Sequence, residues 1–431
     1  MTEARILKGF RDSLPLDEIK RSKMIDTVKT VFASYGYSPI DTPCLEYEDI
    51  LLSKSAGETE KQIYAFEDNG GRRVALRFDL TVPFARFVAL HSHKEIELPF
   101  KRYHIAKVWR GENSQAGRFR EFYQCDIDTV GVNNALSDAE IVEVIANALM
   151  ALSESDFKIH ISHRGLLKTL LENCGLENKN TDVLRILDKL SKIGESGVKS
   201  ELSNLGLDNA KIDILLKFIS EKKDASVLLD ANEYNAIATK LGGKTESLDR
   251  LKAIYEVLPS VVKKHIVVDF SITRGLDYYT GFVFETFLSG SENIGSVSSG
   301  GRYDNLTGLF SKEVVSGVGG SIGLDRLITA LGNKTKETVS TADLYVLYDD
   351  DLYRTEKDHI NELRALGFRV DDCLLSRKMN QIYKYIEMNN IPYMLSVKKD
   401  SYILKTIATR NEEKYSSFEE VKKSLLQKKG E

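Results

Sequence analysis

The chain has 431 residues, of which 42% are hydrophobic and 29% charged, and its formal net charge at pH 7 is −4. That composition belongs to an ordinary soluble globular protein, and the length exceeds the roughly 250–300 residues at which single cores stop growing, so more than one domain is expected. The charge excludes a generally basic nucleic-acid coat but not a local basic path, because phosphate contact depends on where Lys and Arg cluster. The opening MTEARILKGFRD has no apolar core of the kind a signal peptide needs, and no uninterrupted apolar run is long enough to span a bilayer. Cys44, Cys125, Cys174 and Cys373 are scattered without a C-x-x-C pair. This argues against a disulfide framework or zinc knuckle and favours a reducing cytoplasm.

In chain order, residues 18–35 read as a helix, with Met24, Ile25, Val28, Val31 and Phe32 on one stripe and Gly36 as the stop. Residues 37–43 read as an extended stretch punctuated by Pro39 and Pro43. Strand patterns follow at 74–81, 102–110 and 119–128. A helix is expected over 137–152, opened by a Ser137/Glu140 capping box and burying Ile141, Val144, Ile145, Ala148 and Leu149. Residues 165–262 are highly charged and helical in pattern, and read as a helical insertion within a core spanning 1–164 and 263–331. Strand patterns resume at 265–270 and 278–287. After a linker-like GNKTKETVST at 332–341, residues 342–431 alternate as βαβαβ and end in a helix opened by Ser417 and Glu420.

Five segments carry the chemistry: FDLT (78–81), 100–128, RGLDYYTG (274–281), SSGGRYDNL (298–306) and GVGGSIGLDRL (317–327). Strand parity puts Arg77, Asp79 and Thr81 on one face, and an acid beside a hydroxyl could clamp an ammonium group. Taken alone, that segment reads better as a polar strand face in solvent. Parity also aligns Arg120, Phe122, Gln124, Asp126 and Asp128, a set suited to a pocket with a stacking plate, an amide arm and an anionic end. The preceding loop 110–118 has Arg110 and Arg118 at its ends, which could grip phosphates through bidentate hydrogen bonds. GVGGSIGLDRL passes from a glycine-rich strand into a helix with Arg326 in its first turn. A cation there opposes the helix dipole, so a nearby anionic ligand is the better explanation. The paired tyrosines of RGLDYYTG read as half-buried, with one phenol facing a polar cavity. His91 and His93 read as a solvated loop rather than a metal site.

In this order the segments resemble the histidyl-tRNA synthetases, a family of class II aminoacyl-tRNA synthetases, over nearly the whole chain. Residues 18–43 resemble class II motif 1, 102–128 motif 2 and 317–331 motif 3. RGLDYYTG and SSGGRYDNL resemble the two peptides peculiar to the histidine enzymes. The resemblance implies an α+β catalytic core on a mixed, mainly antiparallel sheet, a helical insertion, and a C-terminal α/β anticodon-binding-like domain. It implies activation of histidine by ATP, with Mg²⁺ as the substrate complex and no prosthetic group, followed by transfer to tRNA(His). A homodimer through motif 1 is also implied.

Residue by residue, it implies that Arg110 and Arg274 are catalytic, Arg110 on the α-phosphate and Arg274 between the histidine carboxylate and that phosphate. Glu112, Phe122 and Arg326 would complete the ATP site. Asp79, Thr81 and Gln124 would bind the α-amino group. Asp128 and Tyr279 would hold the imidazole, with Tyr278 and Tyr303 lining the pocket. The rival is a non-catalytic histidine-sensing paralogue resembling the ATP phosphoribosyltransferase regulatory subunit. Arg110, Arg274, Arg326 and the domain after 342 speak against it.

Overall fold

The computed structural model describes residues 1–431 except 54–60, 93–94, 114–116, 153–155, 188, 273–278, 333–338, 350–351, 374–377 and 431. His93 and most of the 332–341 linker therefore lie outside the described residues. The chain divides into two compact units, Met1–Arg11 with Ile25–Lys334, and Asp12–Met24 with Thr335–Glu431. The helix Pro15–Ser34 is shared between them, and Val28 and Phe32 of its stripe are fully buried.

The first unit contains β1 (Ser38–Pro39), β2 (Leu45–Tyr47), β3 (Ala65–Glu67), β4 (Arg73–Leu76), β5 (Phe100–Trp109) and β6 (Glu121–Val130). It continues with β7 (Phe157–His163), β8 (Lys222–Asp224), β9 (Ile266–Asp269), β10 (Phe282–Leu288), β11 (Ser298–Arg302) and β12 (Gly317–Gly323). Among the described residues, nine of these form one sheet in the order β1-β5-β6-β12-β11-β10-β7-β9-β8. Only β1–β5 and β7–β9 are parallel pairs, so the sheet is mixed and mainly antiparallel. The long β5–β6 ladder sets Arg102 opposite Asp128 and Val108 opposite Phe122.

The helix Ala135–Ala151 packs against this sheet. Its Ile141, Val144, Ile145, Ala148 and Leu149 are fully buried, each large side chain contributing about 1.5–3 kcal/mol. Its cap differs from the expected one. Asn134 Oδ1 accepts from Ser137 N (2.9 Å), and Ser137 sits inside the first turn. Glu140 is held instead by Lys101 (2.6 Å) and by Tyr37 Oη (3.0 Å). Asn and Ser are both good caps, so local sequence did not separate them.

The strand reading of 74–81 also fails at its end. β4 stops at Leu76, and Thr81 opens the helix Thr81–His91. Asp79 Oδ1 accepts from Val82 N (3.0 Å), and Pro83 in the first turn has no N–H to lose there. Phe78 and Leu80 imitate strand alternation because both are buried. Asp79 and Thr81 are thus neighbours at a helix start, not alternate residues on a strand.

Residues 165–262 are mostly helical, yet β8 pairs with β9 at the edge of the core sheet. A three-residue strand is too short to interrupt the helical periodicity. Arg302, beside the glycine pair of β11, has a structural role. It reaches the buried Asp138 through Nε (2.9 Å) and Nη2 (2.6 Å), and Arg250 takes the other carboxylate oxygen (2.7 Å). One buried carboxylate thereby ties β11 to the start of the helix beneath the sheet.

The second unit contains β13 (Leu344–Tyr348), β14 (Val370–Asp372), β15 (Tyr393–Lys398), β16 (Ser401–Thr406) and β17 (Glu412–Tyr415), in the order β14-β13-β15-β16-β17. Alternation along β13 feeds two cores. Leu344 and Val346 join Ile360, Leu363, Val421 and Leu425, while Tyr345 joins Ile382, Ile386 and Met394. Helices Tyr353–Ala365 and Phe418–Gly430 supply the first core and Met379–Met388 the second. Glu420 accepts from Ser417 N (3.3 Å), as the capping pattern predicts. The antiparallel β16–β17 pair was not expected from sequence.

Candidate active site

A cavity opens over the centre of the nine-stranded sheet. Ten of the residues that the resemblance assigns to the site line it: Asp79, Thr81, Arg110, Glu112, Phe122, Gln124, Asp128, Tyr279, Tyr303 and Arg326. Arg274 and Tyr278 lie outside the described residues. The parity argument holds within β6, since Phe122, Gln124, Asp126 and Asp128 all line the cavity, but Arg120 precedes the strand, donates to the Glu112 carbonyl (3.2 Å) and is not among the lining residues. From Phe122 to Asp128 the strand runs about 20 Å, at its usual rise of about 3.4 Å per residue.

Toward the β5–β6 turn the lining is cationic. Arg110 donates from Nε to the Phe78 carbonyl (2.9 Å), and its guanidinium lies 5.2 Å from the centre of the Phe122 ring. Arg118 pairs with Glu112 at 3.6 Å. Arg326 Nη1 donates to the Ser296 carbonyl (2.7 Å). Burial holds the Arg326 pKa below its usual range, and Arg118 and Arg110 push the same way. Gly117 has φ +72°, and a Cβ there would stand 3.3 Å from Ile294 and 3.6 Å from Arg326 Cγ, so glycine lets the loop settle beside the arginine. Asp325 accepts from Tyr123 N (2.7 Å) and pairs with Arg11, which anchors the helix carrying Arg326 to β6.

Toward Asp128 the lining is acidic. Asp79, Asp126 and Asp128 are each at most 2% exposed. Burial raises the pKa of all three, to about 6 for Asp126 and about 7 for Asp128, against the lowering influence of Arg102. Tyr303 Oη donates to Asp128 Oδ1 at 2.5 Å. Gln124 donates from Nε2 to Ser321 Oγ (2.9 Å). Four carboxylate and amide oxygens at this end are buried without a hydrogen-bond partner among the described residues: Asp79 Oδ2, Gln124 Oε1, Asp126 Oδ1 and Asp128 Oδ2, the last in ion-pair contact with Arg102 (2.6 Å). Such orphans are costly unless a ligand supplies the donors.

The glycines of β11 and β12 make room for these groups. A Cβ on Gly317 would stand 2.3 Å from the Tyr303 ring, and one on Gly319 only 2.0 Å from Asp128 Oδ1. On Gly320 it would meet Phe284 at 2.9 Å and Ile141 at 3.1 Å, so the same run also admits the helix below.

Sequence reasoning missed two contributors. Ser321 orients Gln124, and its place opposite Asp126 became visible only with the β6–β12 register. Arg102 lies fully buried behind Asp128, Nη2 to Oδ2 2.6 Å. An arginine inside a strand-like run was the available signal.

A nine-stranded, mainly antiparallel sheet whose motif-like segments converge on a cavity with arginines at one end and carboxylates at the other defines a class II aminoacyl-tRNA synthetase, a ligase that uses ATP. Residues 9–327 match the family model described as histidyl-tRNA synthetase. The chain is 46% identical over 441 residues to a histidine–tRNA ligase of Treponema denticola, covering 98% of each, and 44% identical over 396 residues to one of Rhodopirellula baltica, covering 90% of this chain and 88% of the relative. The crystal structure of histidyl-tRNA synthetase from Nostoc sp. PCC 7120 superposes with a TM-score of 0.84 at 30% identity, over 98% of this chain and 100% of that one. A Bacillus halodurans structure described as an ATP phosphoribosyltransferase regulatory subunit/histidyl-tRNA synthetase gives 0.74 at 25% identity, over 88% and 95%. The chain belongs to the histidyl-tRNA synthetase family.

Proposed function

We propose that this cavity joins histidine to ATP, giving histidyl-adenylate and pyrophosphate, and that the histidyl group then passes to the 3′ end of tRNA(His). The observation that carries the assignment of ends is the set of orphaned acceptors, Asp79 Oδ2, Gln124 Oε1, Asp126 Oδ1 and Asp128 Oδ2, opposite an arginine-lined far end. An amino acid brings an ammonium group to the first, and a triphosphate brings anions to the second.

In this reading Asp79, Thr81 and Gln124 receive the α-ammonium group. Asp128 and Tyr279 hydrogen-bond the imidazole, with Tyr303 holding Asp128 and Tyr278 completing the wall. Phe122 stacks on adenine with Arg326 across from it, reaching the γ-phosphate, and Glu112 lies at the adenine end. Arg110 holds the α-phosphate, and Arg274 bridges it to the histidine carboxylate. Mg²⁺ enters with the ATP phosphates as part of the substrate. The carboxylate is already a nucleophile, so the residues act by positioning it and by neutralising the pentavalent phosphate. A pocket built to hydrogen-bond a polar side chain rejects analogues lacking it by about 10⁴–10⁵, which makes editing unnecessary.

The test is ATP–pyrophosphate exchange across the twenty amino acids. Exchange with histidine alone is expected. Histidine binding without exchange would instead support the sensor reading, against which Arg110, Arg118 and Arg326 stand together in the cavity.

We assign residues 1–164 and 263–331 to the catalytic core, 332–341 to a linker, 165–262 to a clamp on the tRNA acceptor arm, and 342–431 to anticodon contact. Footprinting of the tRNA complex should protect both of the last two segments, and a bare segment loses its role. The motif 1 region, 18–43, is the proposed homodimer interface of a cytoplasmic enzyme. Sedimentation should give twice the chain mass, and a monomer would refute the interface.

A further inference from the structure

We infer that Arg102 is the positioning residue of the histidine subsite, a buried guanidinium that holds Asp128 as an anionic acceptor and links it to the segment bearing Asp79 and Thr81. The inference rests on the assignment of the acidic end to histidine.

Arg102 is fully buried and does not line the cavity. Its Nη2 stands 2.6 Å from Asp128 Oδ2 and donates to the Leu80 carbonyl (3.1 Å). Leu80 lies between Asp79 and Thr81, so one nitrogen spans the two halves of the subsite. The guanidinium also lies 4.4 Å from the centre of the Phe84 ring, in the helix whose start Asp79 caps.

A role in stability alone explains this poorly. Nε and Nη1 are buried with no hydrogen-bond partner among the described residues. A buried ion pair that leaves donors unsatisfied is commonly no better for stability than an apolar replacement. What the arginine supplies is charge, and the carboxylates need it. Asp79, Asp126 and Asp128 converge here, and Arg102 opposes the effect of burial on each.

The groups around Asp128 come from every side. Arg102 faces it from β5, Asp126 from its own strand, Asp79 from the helix start, and the phenols of Tyr303 and Tyr37 from elsewhere, while β12 offers only Gly319. Tyr279 shares the cavity. His104, two residues along β5, is kept neutral with a pKa of about 3, by burial first and then by Arg102 and Arg77.

The sign of the pH effect follows. Asp128 accepts the imidazole N–H when ionised, which burial delays to about pH 7 even with Arg102 present. Removing the cation raises that pKa further, so histidine binding should weaken at neutral pH and recover as pH rises.

The experiment uses the full chain with Arg102→Met and Arg102→Lys, measuring ATP–pyrophosphate exchange from pH 6 to 9. For the Met variant, histidine KM at pH 7 should rise about tenfold or more, with ATP KM within about twofold, and the pH dependence of histidine KM should move up by about one unit. The Lys variant keeps the charge and should retain the wild-type pH dependence with a histidine KM raised several-fold. A folded Met variant with wild-type histidine KM and pH dependence overturns the proposal. If the Met variant does not fold, a wild-type histidine KM in the Lys variant overturns it. Failure of the underlying subsite reading looks different, because the unmodified enzyme would then show no histidine-dependent exchange.

Discussion

Gly319→Ala is expected to lower kcat/KM for histidine by about a hundredfold or more while leaving ATP binding nearly intact. The added methyl would stand 2.0 Å from Asp128 Oδ1, 2.6 Å from its Cγ and 2.7 Å from the Ile127 carbonyl oxygen. The last of these is backbone in the neighbouring strand and cannot step aside. Asp128 must then leave the position in which Tyr303 and Arg102 hold it, and a displacement of about 1 Å in a positioning group costs about 10²-fold. Since the sheet must also open locally, a loss of roughly 1–3 kcal/mol in stability should accompany the change. Exchange kinetics with varied histidine, beside varied ATP, separate the two subsites. A variant with unchanged histidine KM would mean that Asp128 does not touch the substrate.

Arg110→Ala should reduce the exchange rate by about 10²–10³ while changing histidine affinity little, the usual loss when one group aimed at developing charge is removed. The side chain is prepared for that work before ligand arrives. Its Nε is fixed by the Phe78 carbonyl (2.9 Å), and its backbone N–H donates to the Arg120 carbonyl (2.9 Å), closing the β5–β6 turn. Arg110→Lys should recover little, since an ammonium group cannot reproduce the planar fork that grips a phosphate. Exchange rates combined with calorimetric histidine binding decide the matter. A loss below tenfold would move the α-phosphate contact away from Arg110.

Much of the site was legible before any coordinates. Period-two alternation placed Phe122, Gln124, Asp126 and Asp128 on one face, because a strand has only two faces and both are set by parity. The glycine run 317–323 and the arginine that follows it read correctly as a strand entering a helix, and Arg326 lines the cavity. Where reading stopped, competing local signals were of similar strength. Phe78 and Leu80 alternate like strand residues, but Asp79 as a cap and Pro83 in the first turn turn the chain into a helix. Asn134 and Ser137 are both good caps, and the helix uses the earlier one. SYILKT at 401–406 sets Tyr402, Ile403 and Leu404 in an unbroken apolar run without alternation, and its partner EEKY at 412–415 carries little apolar signal, so the hairpin emerged only through pairing.

By itself the sequence determined the face on which the β6 residues stand, because strand parity is a local property, and the class of chemistry followed from the resemblance of its five segments to a known family. Tertiary structure decided which charges meet. Arg102 and Asp128 lie 26 positions apart, and nothing between them states that β5 and β6 pair in the register that sets one opposite the other. The closeness of Gly319 to Asp128 likewise depends on β12 lying against β6. Pairing register is a long-range outcome of burying one sheet face, so the electrostatics of the acidic end existed only once the sheet had formed.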